Sequence, residues 1–137
     1  MKENIIQEKS FTFALDIIYL YTEIRKQREF VISKQLLRCG TSIGANVEEA
    51  IAGQTRRDFL SKMSIASKEA RETRYWLRLL KKSKLVDIDY EEHLQKIEEI
   101  VRLLTSIVKT GYTNKLKLLF FGLGLSFILG FLVNSIL

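Results

Sequence analysis

Histidine and cysteine, which perform much of the nucleophilic, acid–base and metal chemistry of proteins, occur once each in this sequence, as His93 and Cys39. A single histidine argues against a catalytic triad and excludes a zinc site with several histidines. Two glutamate pairs are adjacent in sequence, so their members diverge around a helix: Glu48/Glu49 and Glu91/Glu92. We therefore expect no catalytic residue, no metal site and no cofactor, with Cys39 acting as a small buried hydrophobic residue.

Lysine and arginine offer the clearest candidate for binding chemistry. Residues 56–84 contain ten Lys or Arg and three Asp or Glu, whereas residues 87–99 contain six acidic residues and one lysine. On a helical wheel, eight of these cations fall on one arc without an acidic residue. We call them the basic arc: Arg56, Arg57, Lys68, Arg71, Arg74, Arg78, Lys81 and Lys82. This pattern predicts contacts with phosphates of RNA or DNA, with Tyr75 stacking on a base.

Two other interpretations of the basic arc stay open. Charged helical faces are commonly only solvated. Alternatively, the arc pairs with acidic neighbours, namely Glu48 and Glu49 or the start of helix 4. Because nothing in the pattern reads individual bases, the expected binding depends on shape and charge.

Four amphipathic helices are predicted to position these residues. Apolar residues recur at steps of three and four over roughly 8–27, 30–53, 55–83 and 89–111. In helix 1, three further apolar residues are expected to widen the buried stripe: Phe11, Leu15 and Ile18. Asp89 and Glu92 have the spacing of a capping box, and Gly111 is predicted to end helix 4. With no proline and short connections, the sequence predicts an all-α, up-and-down antiparallel four-helix bundle with a C-terminal apolar helix.

Helix 2 contains a run of small residues, "RCGTSIGANVEEA", at positions 38–50. Each interior glycine costs about 1 kcal/mol of helix stability relative to alanine, a cost that a closely approaching helix can offset by dispersion contacts. A phosphate-binding loop is disfavoured because the preceding strand and the Gly-Lys-Ser/Thr sequence are both missing. We therefore predict close packing, within the bundle or at an oligomer interface, for Gly40, Ser42, Gly44, Ala45 and Trp76.

The C-terminal end is apolar. The sequence divides into a bundle over 1–110, a short basic linker over 111–117 and an uncharged tail over 118–137, whose twenty residues would span about 30 Å as a helix. Lys109, Lys115 and Lys117 precede the tail and Gly122, Ser126 and Gly130 share one of its faces, which favours a tail anchor in the inner membrane with the bundle in the cytoplasm. The alternatives are a segment buried in an oligomer and translated non-coding sequence. The first ten residues suggest no signal peptide.

Three separated blocks of the sequence resemble one protein family. They are "GTSIGANVEEA", "DFLSKMSIASKEARETRYWLRLL" and "LLTSIVKT", and the likeness covers about residues 8–110. The chain resembles the bacterial four-helix-bundle proteins whose reading frames lie in intervening sequences of 23S ribosomal RNA genes. It is also similar to the related accessory proteins of diversity-generating retroelements. The resemblance implies a homopentameric barrel without enzymatic activity, and in the retroelement branch a basic surface that binds nucleic acid and a reverse transcriptase.

The resemblance and the residue pattern together predict a non-enzymatic oligomeric bundle that binds RNA or DNA through the basic arc. One alternative is a membrane-anchored protein-interaction scaffold whose basic face meets anionic lipid. Another is a vestigial intervening-sequence reading frame with no host function. The apolar tail departs from the family pattern, because typical members stop near the end of helix 4.

Overall fold

Four helices form the framework of the part of the chain that the structure describes. The computed structural model describes the chain over residues 2–136, with the side chains of residues 5–125, 127 and 131. The helices are α1 (Lys2–Lys26), α2 (Ile32–Ile51), α3 (Arg56–Ser83) and α4 (Glu91–Ile136). Each packs against its neighbours in sequence, and α1 also packs against α4 to close the ring. The predicted all-α four-helix bundle is confirmed.

Cross-helix contacts fix the antiparallel direction of neighbouring helices. Between α1 and α4, Lys9 pairs with Glu99 at 3.0 Å, and Asp16 pairs with Lys96 at 2.8 Å. At the far end of the same interface, the Gln27 side-chain amide donates to and accepts from the backbone of Asp87. Residue numbers that rise along α1 therefore meet numbers that fall along α4. Connections of four to seven residues leave antiparallel packing as the natural arrangement.

The core follows the three-and-four spacing of the apolar residues. On α1 the fully buried side chains include Phe13, Ile17 and Ile24, and on α4 they include Ile97 and Leu104. The larger residues pack against alanines of α2 and α3, which let the helices approach closely: Ala50, Ala66 and Ala70. The hydrophobic effect therefore selects one face of each helix.

The apolar stripe of α1 is wider than the core. The side chains of Phe11, Leu15 and Ile18 are 62%, 40% and 41% exposed, so the expectation that they widen the buried stripe is wrong. They follow one another at steps of four and three, which aligns them on one outer face of the helix. A single bundle buries only the face of α1 that meets α2 and α4.

Two glycines of α2 lie where this helix passes α1. A Cβ atom added to Gly40 would lie 2.9 Å from both Cγ atoms of Ile17, and one added to Gly44 would lie 3.4 Å from the backbone oxygen of Ser10. Of the other residues predicted for close packing, Ser42 is half-buried and donates its hydroxyl to the Arg38 carbonyl, while Ala45 is exposed. Gly40 and Gly44 thus lie against another helix of the same chain, whereas Ser42 and Ala45 show no such contact in the described residues.

Helix α4 does not end at Gly111. It continues without interruption to Ile136, and residues 111–117, predicted as a linker, are helical. Gly111 is buried against α3, where the side chain of Leu60 occupies the space that a side chain at position 111 would need. The glycine therefore makes room for a neighbour and is not a helix terminator, and glycine remains compatible with a helix interior at a cost of about 1 kcal/mol.

The C-terminal part of α4 extends past the other three helices. Its described apolar side chains are exposed, among them Leu118, Phe121 and Phe127. No helix in the described part of the chain is both long enough and apolar enough to cross a membrane. The predicted transmembrane helix is therefore not found there. An added Cβ at Gly122 meets nothing within 4 Å, and the Ser126 and Gly130 contacts lie outside the described residues.

Candidate nucleic-acid interface

Part of the basic arc is engaged by α4. The Arg74 guanidinium pairs with Glu98 at 2.8 Å, and the Lys81 ammonium pairs with Glu91 at 2.7 Å. Arg71 donates to the Thr105 hydroxyl over 3.0 Å. Pairing with the start of helix 4 was one of the interpretations left open by the sequence, and it applies to Arg74 and Lys81. The charge of these two residues is largely balanced in place.

Four other members of the basic arc face solvent without a partner. Within the described residues, no ion pair or hydrogen bond engages their side chains: Arg57, Lys68, Arg78 and Lys82. Arg56 is also exposed, with its guanidinium carbon 5.7 Å from the ring centroid of Phe59. Unpaired exposed cations are the groups that replace counterions along a phosphate backbone. The unpaired positive charge of α3 that could contact phosphates therefore lies at its first turn, at Lys68 and towards its C-terminal end.

Tyr75 and Trp76 form an aromatic pair with different exposures. Tyr75 is 54% exposed and meets the Trp76 ring edge-on at a centroid distance of 5.1 Å. Trp76 is half-buried against the core, and its indole N–H donates to Glu72. Glu72 also pairs with Arg38, which joins α3 to α2. Trp76 is thus part of the α2–α3 contact, and Tyr75 leaves one edge open to solvent.

A groove between α3 and α4 brings cations of the basic arc close to Lys115, which was predicted to lie in a separate linker. It encloses about 940 Å³ and lies between the first half of α3 and residues 111–118 of α4. Arg56, Arg57 and Lys68 line it from α3, and Tyr112 and Lys115 line it from α4. We call it the α3–α4 groove. Tyr112 and Lys115 were missed because helix 4 was predicted to end at Gly111, and continuing its helical spacing by one turn would have found them.

Two smaller cavities between α1 and α4 differ from the α3–α4 groove because acidic residues line them. Each encloses about 340 Å³. The first contains Lys9 and Lys96 together with Glu8, Asp16 and Glu99, and the second contains three acidic residues and His93. Their cations are neutralised by carboxylates, as in the Lys96–Asp16 pair. An anion is therefore better accommodated in the α3–α4 groove.

The single cysteine and the single histidine are held in poorly reactive surroundings. Burial raises the pKa of the Cys39 thiol to about 11, and its sulfur contacts the Leu36 carbonyl at 3.5 Å. Burial also lowers the pKa of His93, against the opposing influence of Asp16 and Glu92. Within the described residues no group of three His, Cys, Asp or Glu side chains is placed to hold a metal ion. Neither residue lines the α3–α4 groove.

Comparison with known proteins places the chain in a family. The sequence profile of the 23S rRNA-intervening sequence proteins matches residues 2–106. A crystal structure of a protein of unknown function from the S23 ribosomal protein family of Bacteroides thetaiotaomicron VPI-5482 is similar, with a TM-score of 0.75 and 49% sequence identity. The alignment covers 80% of this chain and 99% of that one. No curated protein matches. The profile spans the greater part of the chain, which therefore belongs to the 23S rRNA-intervening sequence protein family.

Proposed function

We propose that this protein is a non-enzymatic, oligomeric four-helix bundle that binds RNA or DNA through the exposed cations of α3. The observation that supports it is the division of the basic arc. Arg74 and Lys81 are balanced by α4 carboxylates, whereas Arg57, Lys68, Arg78 and Lys82 remain exposed and unpaired among the described residues. Unpaired exposed cations on one helical face are available to replace the counterions of a phosphate backbone, whereas Arg74 and Lys81 would first have to give up their carboxylate partners.

The expected affinity depends steeply on salt. Each phosphate that a cation neutralises releases condensed counterions, and log K falls against log salt with a slope of about −0.9 for each contact on duplex DNA. Engagement of the four free cations therefore corresponds to a slope of roughly −3 to −4. Because the cations contact a repeating backbone, they favour nucleic acid over a single anionic metabolite and do not select a base sequence.

We propose a homo-oligomer, with five subunits as the family resemblance implies. The exposed stripe of Phe11, Leu15 and Ile18 supports this part of the proposal, because contiguous exposed apolar residues typically mark an interaction surface. Assembly would multiply the number of basic arcs in one particle and raise the affinity for a long nucleic acid through multivalency. Native mass spectrometry of the full chain tests it: a pentamer is expected, and a monomer across the micromolar range would contradict it.

Fluorescence anisotropy of the full chain tests nucleic-acid binding. A labelled RNA hairpin and a labelled DNA duplex are titrated at several salt concentrations, with the wild type and with Arg78→Ala/Lys82→Ala. The double variant is expected to weaken binding and to make the salt slope less negative by about 2. Both side chains are exposed, so circular dichroism should show an unchanged fold.

A charge-matched variant separates local contacts from net charge. Lys26→Ala/Lys34→Ala removes two exposed cations from α1 and α2, outside the proposed surface. Its binding and salt slope are expected to stay close to those of the wild type. Equal weakening by both double variants would overturn the assignment to α3. Binding to anionic vesicles with no binding to either nucleic acid would instead support the lipid-facing scaffold.

A further inference from the structure

The α3–α4 groove differs from the rest of the basic arc because it is a half-open cleft between two helices. Two helices form its walls, and its volume of about 940 Å³ lies within the range of ligand-binding clefts. Its floor is formed where Leu60 packs against Gly111, which brings α3 and α4 close together. An exposed helical face offers contact from one direction, but this groove offers contact from two sides.

The charge of the groove has one sign. Arg56, Arg57, Lys68 and Lys115 line it, and none of the described lining residues is acidic. The acidic residue of the first turn of α3, Asp58, has its backbone N–H capped by Thr55 and does not line the groove. A cleft that is lined by charges of one sign and has low-dielectric walls focuses their field. A polyanion in this groove therefore meets four cations without a competing carboxylate.

The groove also presents aromatic and apolar surface beside its charges. Tyr112 is 48% exposed, and Leu60, Ile65 and Leu118 contribute to the lining. A duplex keeps its bases stacked inside and offers mainly phosphates to a protein surface. Single strands offer both phosphates and free base faces, and proteins bind them with positively charged grooves that contain aromatic side chains. The α3–α4 groove combines positive charge with an aromatic side chain, which is the composition that suits a single strand.

We propose that the α3–α4 groove binds single-stranded nucleic acid, with phosphates against Arg57, Lys68 and Lys115 and one base stacked on Tyr112. This inference rests on the proposed function, which it narrows to a strand type and a location. Polar groups for base edges or sugar hydroxyls are present in the same groove. Ser61 and Asn114 line it with exposed side chains.

The family match does not include this feature. It ends at residue 106, whereas Tyr112 and Lys115 lie beyond it on the continued α4. The cations of α3 alone form an exposed face, and the groove arises only because α4 continues past Gly111 beside them. Single-strand binding in the groove therefore depends on Tyr112 and Lys115, which the family profile does not match.

Competition between strand types tests the inference on the full chain. Labelled twelve-nucleotide oligo-U RNA and oligo-dT DNA are compared with a twelve-base-pair duplex by anisotropy at one salt concentration. The single strands are expected to bind at least about five-fold more tightly than the duplex, the lower end of one stacked base. Tyr112→Ala should remove most of that preference, while Tyr112→Phe should retain it because the ring remains. Tyr19→Ala, which removes an exposed aromatic side chain of α1 outside the groove, should have little effect.

A charge variant provides a readout that does not depend on Tyr112. Lys115→Ala is expected to weaken single-strand binding and to make its salt slope less negative by about 1, with little change for the duplex. Equal binding of both strand types, unchanged by Tyr112→Ala and Lys115→Ala, would overturn the inference and leave the proposed function intact. Absence of binding to every nucleic acid by the wild type would overturn both.

Discussion

The side chain of Leu60 fills the space beside Gly111. A Cβ atom at position 111 would lie 2.1 Å from Leu60 Cδ2 and within 3.3 Å of two further atoms of the same side chain. Leu60 is itself buried, with 3% of its surface exposed, so it cannot simply swing into solvent. The contact lies below the α3–α4 groove and therefore links the bundle core to the candidate site.

Gly111→Ala tests this contact. Overpacking of a buried site costs about 1–3 kcal/mol, while replacing glycine by alanine in a helix returns about 1 kcal/mol. We expect a net loss of about 1 kcal/mol in the free energy of unfolding, measured by urea denaturation. In a Leu60→Ala background the space is open, so the same substitution should be stabilising. An equal loss in both backgrounds would contradict the contact.

Gly40→Ala tests the packing of α2 against α1. Two atoms of Ile17 lie 2.9 Å from the added Cβ, and Ile17 is fully buried and β-branched, so its side chain has little freedom to rotate away. We expect a loss of about 2 kcal/mol of unfolding free energy. Gly44→Ala is the matched control, because the nearest neighbour lies at 3.4 Å. Its unfolding free energy is expected to change by less than about 1 kcal/mol. Equal losses in the two variants would show that Gly40 is not packed more closely than Gly44.

Glu29 caps the start of α2, and its effect on stability should depend on pH. Its carboxylate accepts hydrogen bonds from the backbone N–H groups of Val31, Ile32 and Ser33 at 2.7–3.0 Å. Burial raises the pKa of Glu29, but the hydrogen bonds from these N–H groups and from the Ser33 hydroxyl outweigh it, so the pKa lies below its usual value of 4.5. Because the folded pKa is the lower one, the stabilisation is complete well above pH 4.5 and disappears as pH falls through the folded pKa.

Glu29→Gln is expected to lower the unfolding free energy by about 1 kcal/mol at pH 7. The difference between wild type and variant should shrink as pH falls below 4.5, measured by urea denaturation from pH 3 to pH 7. Glu23→Gln is the control, since Glu23 forms an exposed pair with Lys26 within α1. A constant difference across this pH range would show that ionisation of Glu29 does not stabilise the cap.

Cys39 should be protected from thiol reagents in the folded protein. Its side chain is fully buried, and its pKa of about 11 leaves little thiolate at pH 8. We expect reaction with a thiol-specific reagent to be slow in buffer and fast in urea above the unfolding transition. Fast reaction under native conditions would show that the α2–α3 interface opens readily.

Local pattern was enough to predict the four-helix bundle from sequence, but it did not separate the exposed apolar stripe of Phe11, Leu15 and Ile18 from the core. The steps of three and four along α1 to α4 follow from helical geometry, and the hydrophobic effect places those faces in the core. The same local information located the basic arc, since Arg56 to Lys82 lie on one helix. These properties depend on residues close in sequence, so they are readable without a structure.

Contacts between residues distant in sequence determined which cations of the candidate site are neutralised and where the α3–α4 groove forms. Arg74 and Lys81 look the same as Arg78 in the sequence, but only the first two meet carboxylates on α4. Gly111 has the sequence pattern of a helix end, and the position of Leu60, 51 residues earlier, shows why a glycine is needed inside the helix. The charge available for binding and the α3–α4 groove arise only when two helices pack side by side, because packing determines which cations are neutralised and which share one groove.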